Sequence, residues 1–213
     1  MQKVYLICIP KSINMNTPRN VIVNKAFFEF LNKGYKACTL KNLEQITGLT
    51  KGAFYYYFKN KEEILKEGLE RYAMVIEDID EAAFHQIRSL KEYIEVVLQE
   101  KERRAQQLRE LFGTFIIEEF YFQLVLDIEF LFPVYRQRID ALLKNRLARW
   151  EEMIIKAKQQ EEILNSLDTS VLARNLMSVP MSMVNIELMS ADLSYAFSDM
   201  RMQFEQYYML IKK

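Results

Sequence analysis

Apolar positions recur at helical spacing along most of the chain, and the breaks between stripes carry capping residues. Thr17-Pro18, a capping hydroxyl with proline at the first helical position, opens a helix whose stripe is Val23, Ala26, Phe27, Phe30 and Leu31 and which closes at Gly34. Thr39 begins a second helix, about residues 40–47, with Leu40, Leu43 and Ile46 inward. Gly48 ends it where a left-handed backbone is needed, and Leu49 plugs the corner. Thr50 begins a third, about residues 51–58. There Phe54, Tyr57 and Phe58 share a core face, while Lys51, Gly52, Tyr55, Tyr56 and Lys59 fall on the other. A helix-turn-helix needs this division, because its second helix buries one side and offers the other to a major groove.

The pattern continues to the C-terminus. Asn60-Lys61-Glu62-Glu63 starts a helix with apolar positions Ile64, Leu65, Leu69, Tyr72, Ala73, Ile76 and Ile79, predicted to run unbroken to near Phe84. At about 20 residues it would span roughly 30 Å. Ser89-Leu90-Lys91-Glu92 is a capping box opening a helix through Ile94, Val97 and Leu98. An aromatic stretch follows to Tyr135, and Pro133 starts a long helix with Tyr135, Ile139, Leu142, Leu143, Trp150, Met153, Ile154 and Ala157 on one stripe. Gln159 to Glu162 is its polar end and Asn165 to Asp168 a loop. Asp168 caps a helix bearing Leu172, Leu176, Val179, Met183 and Ile186, bent near Pro180, and the last helix carries Leu193, Phe197, Met200, Phe204, Tyr207 and Ile211. The fold class is all-α.

Composition adds an asymmetry. Five glycines and four prolines in 213 residues leave little room for turn-rich β wiring. The net charge is zero, yet residues 1–66 hold eleven Lys and Arg against four Asp and Glu, and the remainder eighteen against twenty-five. The basic part, which contains the helix-turn-helix, is the part a polyanion attracts. Cys8 and Cys38 make no disulfide framework, which points to a reducing cytoplasm. No apolar run approaches the roughly 18 residues of a membrane span. Residues 1–16 read as a flexible arm, with translation from Met15 as an alternative.

Phe30, Gly34, Tyr35, Thr39, Gly48, Leu49, Thr50, Lys51, Gly52, Phe54, Tyr55, Tyr57, Phe58, Lys61, Glu62 and Leu65 stand in register with one signature. The stretch from Thr17 to about Tyr72 resembles the DNA-binding domain of TetR-type transcriptional repressors, also grouped as TetR/AcrR. Glu44 departs from the alanine that general helix-turn-helix patterns favour there. The resemblance implies a three-helix head over residues 17–72, a helical ligand-binding and dimerisation body over 73–213, and about nine helices. It also implies a palindromic operator in double-stranded DNA bound by a homodimer, and release when a small molecule binds the body. Because the last two helices of such proteins usually pair with their copies, Leu176, Met183, Ile186, Phe197, Met200 and Phe204 become the expected dimer interface. Seven of the eleven methionines, Met177 to Met209, lie in this pair, and Met-rich faces suit a partner surface as well as a core.

Side-chain chemistry assigns the expected DNA contacts. Lys51 can reach guanine O6 and N7 or a phosphate, Gly52 and Ala53 let the backbone approach the groove, and Tyr55 and Tyr56 can bond phosphate or lie on a thymine methyl. Thr39, Thr50, Lys41, Lys59 and Lys61 are expected around the phosphates, helped by helix N-termini. Phe112, Phe115, Ile116, Phe120, Phe122 and Tyr135 can line a pocket for an apolar or amphipathic effector or form plain core. His85 is the one histidine, which excludes paired-histidine metal motifs; no phosphate loop, dinucleotide fingerprint or nucleophile elbow occurs. A non-enzymatic regulator without cofactor or metal follows, with two alternatives. One is a dimeric DNA-binding regulator that needs no ligand, the other a protein-interaction module that has lost DNA binding.

Overall fold

The computed structural model describes residues 17–73, 80–112, 133–187 and 194–213. The expectations placed on residues 1–16, Ile76, Ile79, Phe115, Ile116, Phe120, Phe122 and Leu193 lie outside them, as do the side chains of Tyr72, Ala73, Phe112, Met183 and Ile186. Among the described residues the helices are α1 (Pro18–Lys33), α2 (Leu40–Thr47), α3 (Lys51–Tyr57), α4 (Lys61–Gly68), a π-helical turn (Leu69–Ala73) and α5 (Glu81–Phe84). They continue with α6 (Leu90–Phe112), α7 (Pro133–Gln159), α8 (Thr169–Glu187) and α9 (Ser194–Ile211). The sole strand-like pairing described is a single antiparallel bridge between Ile163 and Lys212. The chain packs as two units, Met1–Glu77 with Glu118–Ile139, and Asp78–Ile117 with Asp140–Lys213. The first therefore extends beyond the expected 17–72 by taking in the start of α7.

In the first unit the caps are where the residues placed them. Thr17 Oγ1 accepts from the Asn20 amide at 3.4 Å, Thr50 Oγ1 from Ala53 at 3.3 Å and Asn60 Oδ1 from Glu63 at 2.9 Å. Val23, Ala26, Phe27, Phe30 and Leu31 of α1 are all buried, together with Leu43, Phe54, Phe58, Ile64, Leu65 and Leu69. Burying each such side chain contributes roughly 1.5–3 kcal/mol, the main force holding four short helices together. Leu40, Ile46 and Leu49 are half-buried.

The unbroken helix expected from Asn60 to near Phe84 is not what forms among the described residues. α4 ends at Gly68 and the chain widens into the π turn at Leu69. Gly68 sits where α4 meets α1 so closely that a Cβ would lie 2.3 Å from Phe27 Cδ2. Asp80, with an extended ψ of 137°, then restarts a separate short helix. Within the same unit, Glu70 of the π turn pairs with Arg138 of α7 and with the Tyr135 phenol.

The second unit is built around Trp150. Its ring lies edge-on to Tyr93 at 4.6 Å and stacks on Phe204 at 5.9 Å, and Tyr93 continues to Phe84 at 5.6 Å. Met153, Ile154, Ala157, Leu172, Leu176, Val179 and Met200 are buried around it. On α6, Ile94, Val96 and Leu98 are buried while Val97 is half-buried. Ser89 caps α6 as expected, accepting from the Glu92 amide at 3.0 Å, and Glu162 adds a second cap across the fold through the amides of Leu90 and Lys91 at 2.9 and 3.0 Å.

Candidate nucleic-acid interface

The turn between α2 and α3 sets the geometry. Thr39 and Asn42 close a capping box at the start of α2, the Thr39 amide donating to Asn42 Oδ1 at 2.9 Å and the Asn42 amide to Thr39 Oγ1 at 3.2 Å. Gly48 ends α2 in the left-handed region, φ 75° and ψ 12°, with its amide bonded to Glu44 O at 2.9 Å. Thr50 then caps α3 within two residues. Only a residue without a Cβ takes that φ cheaply, so the sharp corner between the helices is written into Gly48.

α3 divides as its pattern predicts at every position but Tyr57. Phe54 and Phe58 are fully buried, with ring centroids 6.0 Å apart. Lys51, Gly52 and Lys59 are exposed, Tyr55 is 51% exposed and Tyr56 82%. Nothing lies within 4 Å of the place where Gly52 would carry a side chain, so the backbone there is open to close approach. Ala53 is half-exposed beside it, and Lys41 on α2 is exposed. A basic, aromatic and bare-backbone surface on an apolar footing can offer hydrogen bonds, ring faces and charge to a groove at once.

Two of the expected roles need correction. Lys61 donates its ammonium to the carbonyls of Tyr35 and Cys38 at 2.8 and 3.0 Å and lies 4.3 Å from the Tyr35 ring centroid. It clamps the loop before α2 instead of reaching for a phosphate. The Thr39 hydroxyl donates to Asn42 Oδ1 and caps α2, as its place before the helix predicts. Tyr57, on the core face by its spacing, is half-exposed, its ring edge-on to Tyr56 at 5.0 Å.

Sequence reasoning missed Arg19. Its guanidinium donates to the Tyr57 carbonyl at the end of α3, to Glu67 Oε2 through Nε at 3.1 Å and Nη2 at 2.8 Å, and to Glu63 Oε1 at 3.1 Å. It also lies 4.2 Å from the centroid of the Phe58 ring. The other Glu63 oxygen accepts from the Lys59 amide at 2.8 Å. That amide, joined by the Arg19 guanidinium, holds the Glu63 carboxyl below its ordinary pKa. One signal was present in the sequence: a cation in the first turn of a helix opposes the helix dipole, so it is better placed with a partner outside that helix.

The expected interface and pocket residues also shift. Leu176, Met200 and Phe204 are buried inside the second unit, so they are core and not a surface for a second chain. Phe197 is half-buried. Among the described side chains of α9, Met202, Met209 and Leu210 are exposed and apolar, and Met202 and Leu210 line a shallow groove with Asp199, Gln203, Gln206 and Tyr207. Tyr135 is buried, and burial, together with the neighbouring Glu70, raises its phenol pKa. The pocket expected of it is not formed by described residues, because its companions lie outside them. No described helix is long and apolar enough to cross a membrane.

Comparison with known proteins agrees with this geometry. Residues 22–67 match the family model described as bacterial regulatory proteins, tetR family. The Transposon Tn10 TetC protein of Escherichia coli is 33% identical over 64 residues, 30% of this chain and 32% of that one. The HTH-type transcriptional regulator YerO of Bacillus subtilis (strain 168) is 36% identical over 58 residues, 27% of this chain and 20% of its own. The match thus spans about a third or less of these relatives. Across the whole fold, the TetR-family transcriptional regulator from Cytophaga hutchinsonii superposes with a TM-score of 0.62 at 18% identity, covering 91% of this chain and 94% of that one. Residues 22–67 thus match the tetR family of bacterial regulatory proteins, and the chain shares the fold of a solved TetR-family regulator.

Proposed function

We propose that the chain is a repressor that grips duplex DNA through the outer face of α3. Lys51, Gly52, Ala53, Tyr55 and Tyr56 enter the major groove, while Thr50, Lys41 and Lys59 hold the flanking phosphates. The observation that carries the reading is the exposure of Tyr55 and Tyr56 beside Lys51, directly above a fully buried Phe54 and Phe58. Exposed tyrosines on a helix this short cost solubility unless a partner covers them, and the basic charge of residues 1–66 selects a polyanion as that partner.

The same proposal has the chain act as a homodimer on a palindromic site. Met202, Met209 and Leu210, on the side of α9 turned away from Trp150, supply an unpaired apolar face that a second copy can cover. Release by an apolar or amphipathic effector completes the proposal, and that part rests on the family resemblance alone.

Selection from random duplex by the full chain tests it. A palindromic consensus is expected, with half-sites about 34 Å apart. Its loss in Lys51→Ala and Tyr55→Ala variants supports α3 as the reader; no enrichment with the unaltered chain overturns the proposal.

A further inference from the structure

We infer that Arg19 is a positioning residue for the recognition helix: its guanidinium locks the C-terminal end of α3 so that the face at Lys51, Tyr55 and Tyr56 is presented at one fixed pitch. The inference rests on the proposed role of α3 and adds a residue outside the helix-turn-helix that sets its aim.

The need for a lock comes from length. α3 has seven residues, far below the dozen or so at which a helix begins to hold itself in water. Phe54 and Phe58 anchor one side, but two rings on one stripe leave the helix able to roll about that stripe. Its last carbonyls also lack intrahelical partners. Arg19 answers both. From the first turn of α1 it reaches the Tyr57 carbonyl, lies across the Phe58 ring, and is itself held by Glu63 and Glu67 of α4. Glu63 closes the loop by taking the Lys59 amide, so the backbone on either side of Phe58 is tied to one cation–carboxylate couple. Three helices meet at one planar group. A guanidinium can bond in several in-plane directions while stacking on a ring, which an ammonium cannot do. Positive charge at the C-terminal end of α3 is also the sign its dipole favours.

The rival role for Arg19, whose side chain is 39% exposed, is a direct phosphate contact. Two readouts on the full chain, unaltered and as Arg19→Lys and Arg19→Met, separate the possibilities. The first needs no DNA: amide exchange of residues 54–60 in the free protein is expected to quicken at least about tenfold in Arg19→Met and less in Arg19→Lys, with α6 to α9 unchanged. The second is affinity for the selected duplex against a random one across a salt series. Arg19→Met is expected to lose about tenfold on the selected duplex alone, with the salt slope intact. Unchanged exchange overturns the inference, and so does a slope shallower by about one, which marks a lost phosphate contact. If Arg19→Met does not fold, Arg19→Lys carries both readouts. Quickened exchange in a chain that binds no duplex upholds the lock and defeats the functional proposal instead.

Discussion

α3 and α9 carry stripes of the same kind, and their fates differ. In α3 the stripe of Phe54 and Phe58 is core and the opposite face is open, as the spacing implies. In α9 the stripe of Met200 and Phe204, expected to face a second subunit, is buried within its own chain, with Phe204 on Trp150, and the described apolar residues left outside are Met202, Met209 and Leu210. A stripe states which side of a helix leaves water. It does not state whose atoms replace the water. α3 escapes the ambiguity because its other face is basic, bare or hydroxylated and has no competing claim to be core. α9 is apolar on two sides, so periodicity alone cannot rank them.

The contrast can be broken most sharply at Phe204. Phe204→Ala is expected to cost about 3–5 kcal/mol in chemical denaturation. The loss should not depend on protein concentration, because the ring is packed within one unit; a concentration-dependent loss would return Phe204 to an interface. On the α3 side, Lys51→Ala and Tyr55→Ala should each weaken binding to the selected duplex by about 1–3 kcal/mol in a titration. Neither should move the denaturation midpoint by more than about 0.5 kcal/mol, since both side chains are exposed.

Leu210→Glu sharpens the α9 side. It should leave the stability of the unit within about 0.5 kcal/mol while shifting sedimentation from dimer to monomer. A variant that stays dimeric would place the pairing surface elsewhere. A separate effect belongs to Cys38, whose thiol is pushed up by burial from 9.0 to about 11. A folded pKa above the unfolded one favours the folded state below pH 9. That contribution drains away as the pH rises toward about 11. Stability measured between pH 8 and 11 should fall more in the native chain than in Cys38→Ala.

What the sequence made legible was local. Thr17, Thr50 and Asn60 cap the helices they precede because a capping hydroxyl or amide acts within three residues of itself, and Gly48 ends α2 for an equally local reason. The helical body and its order were legible from periodicity. Contacts made across the fold were not. Lys61 reads as a free cation until the loop carbonyls of Tyr35 and Cys38 arrive from 23 to 26 residues away. Arg19 meets Tyr57 and Glu67 from 38 and 48 residues away. The π turn at Leu69 is equally hidden, because the close approach of Gly68 to Phe27 exists only once α1 and α4 have packed.

The central claim is that α3 presents its outer face to duplex, and amide exchange of the full chain with and without the selected site tests it most directly. The account predicts protection gained across residues 51–59, with a smaller gain near Lys41, and none within α8. Protection confined to the second unit, with residues 51–59 exchanging as in the free chain, would contradict it.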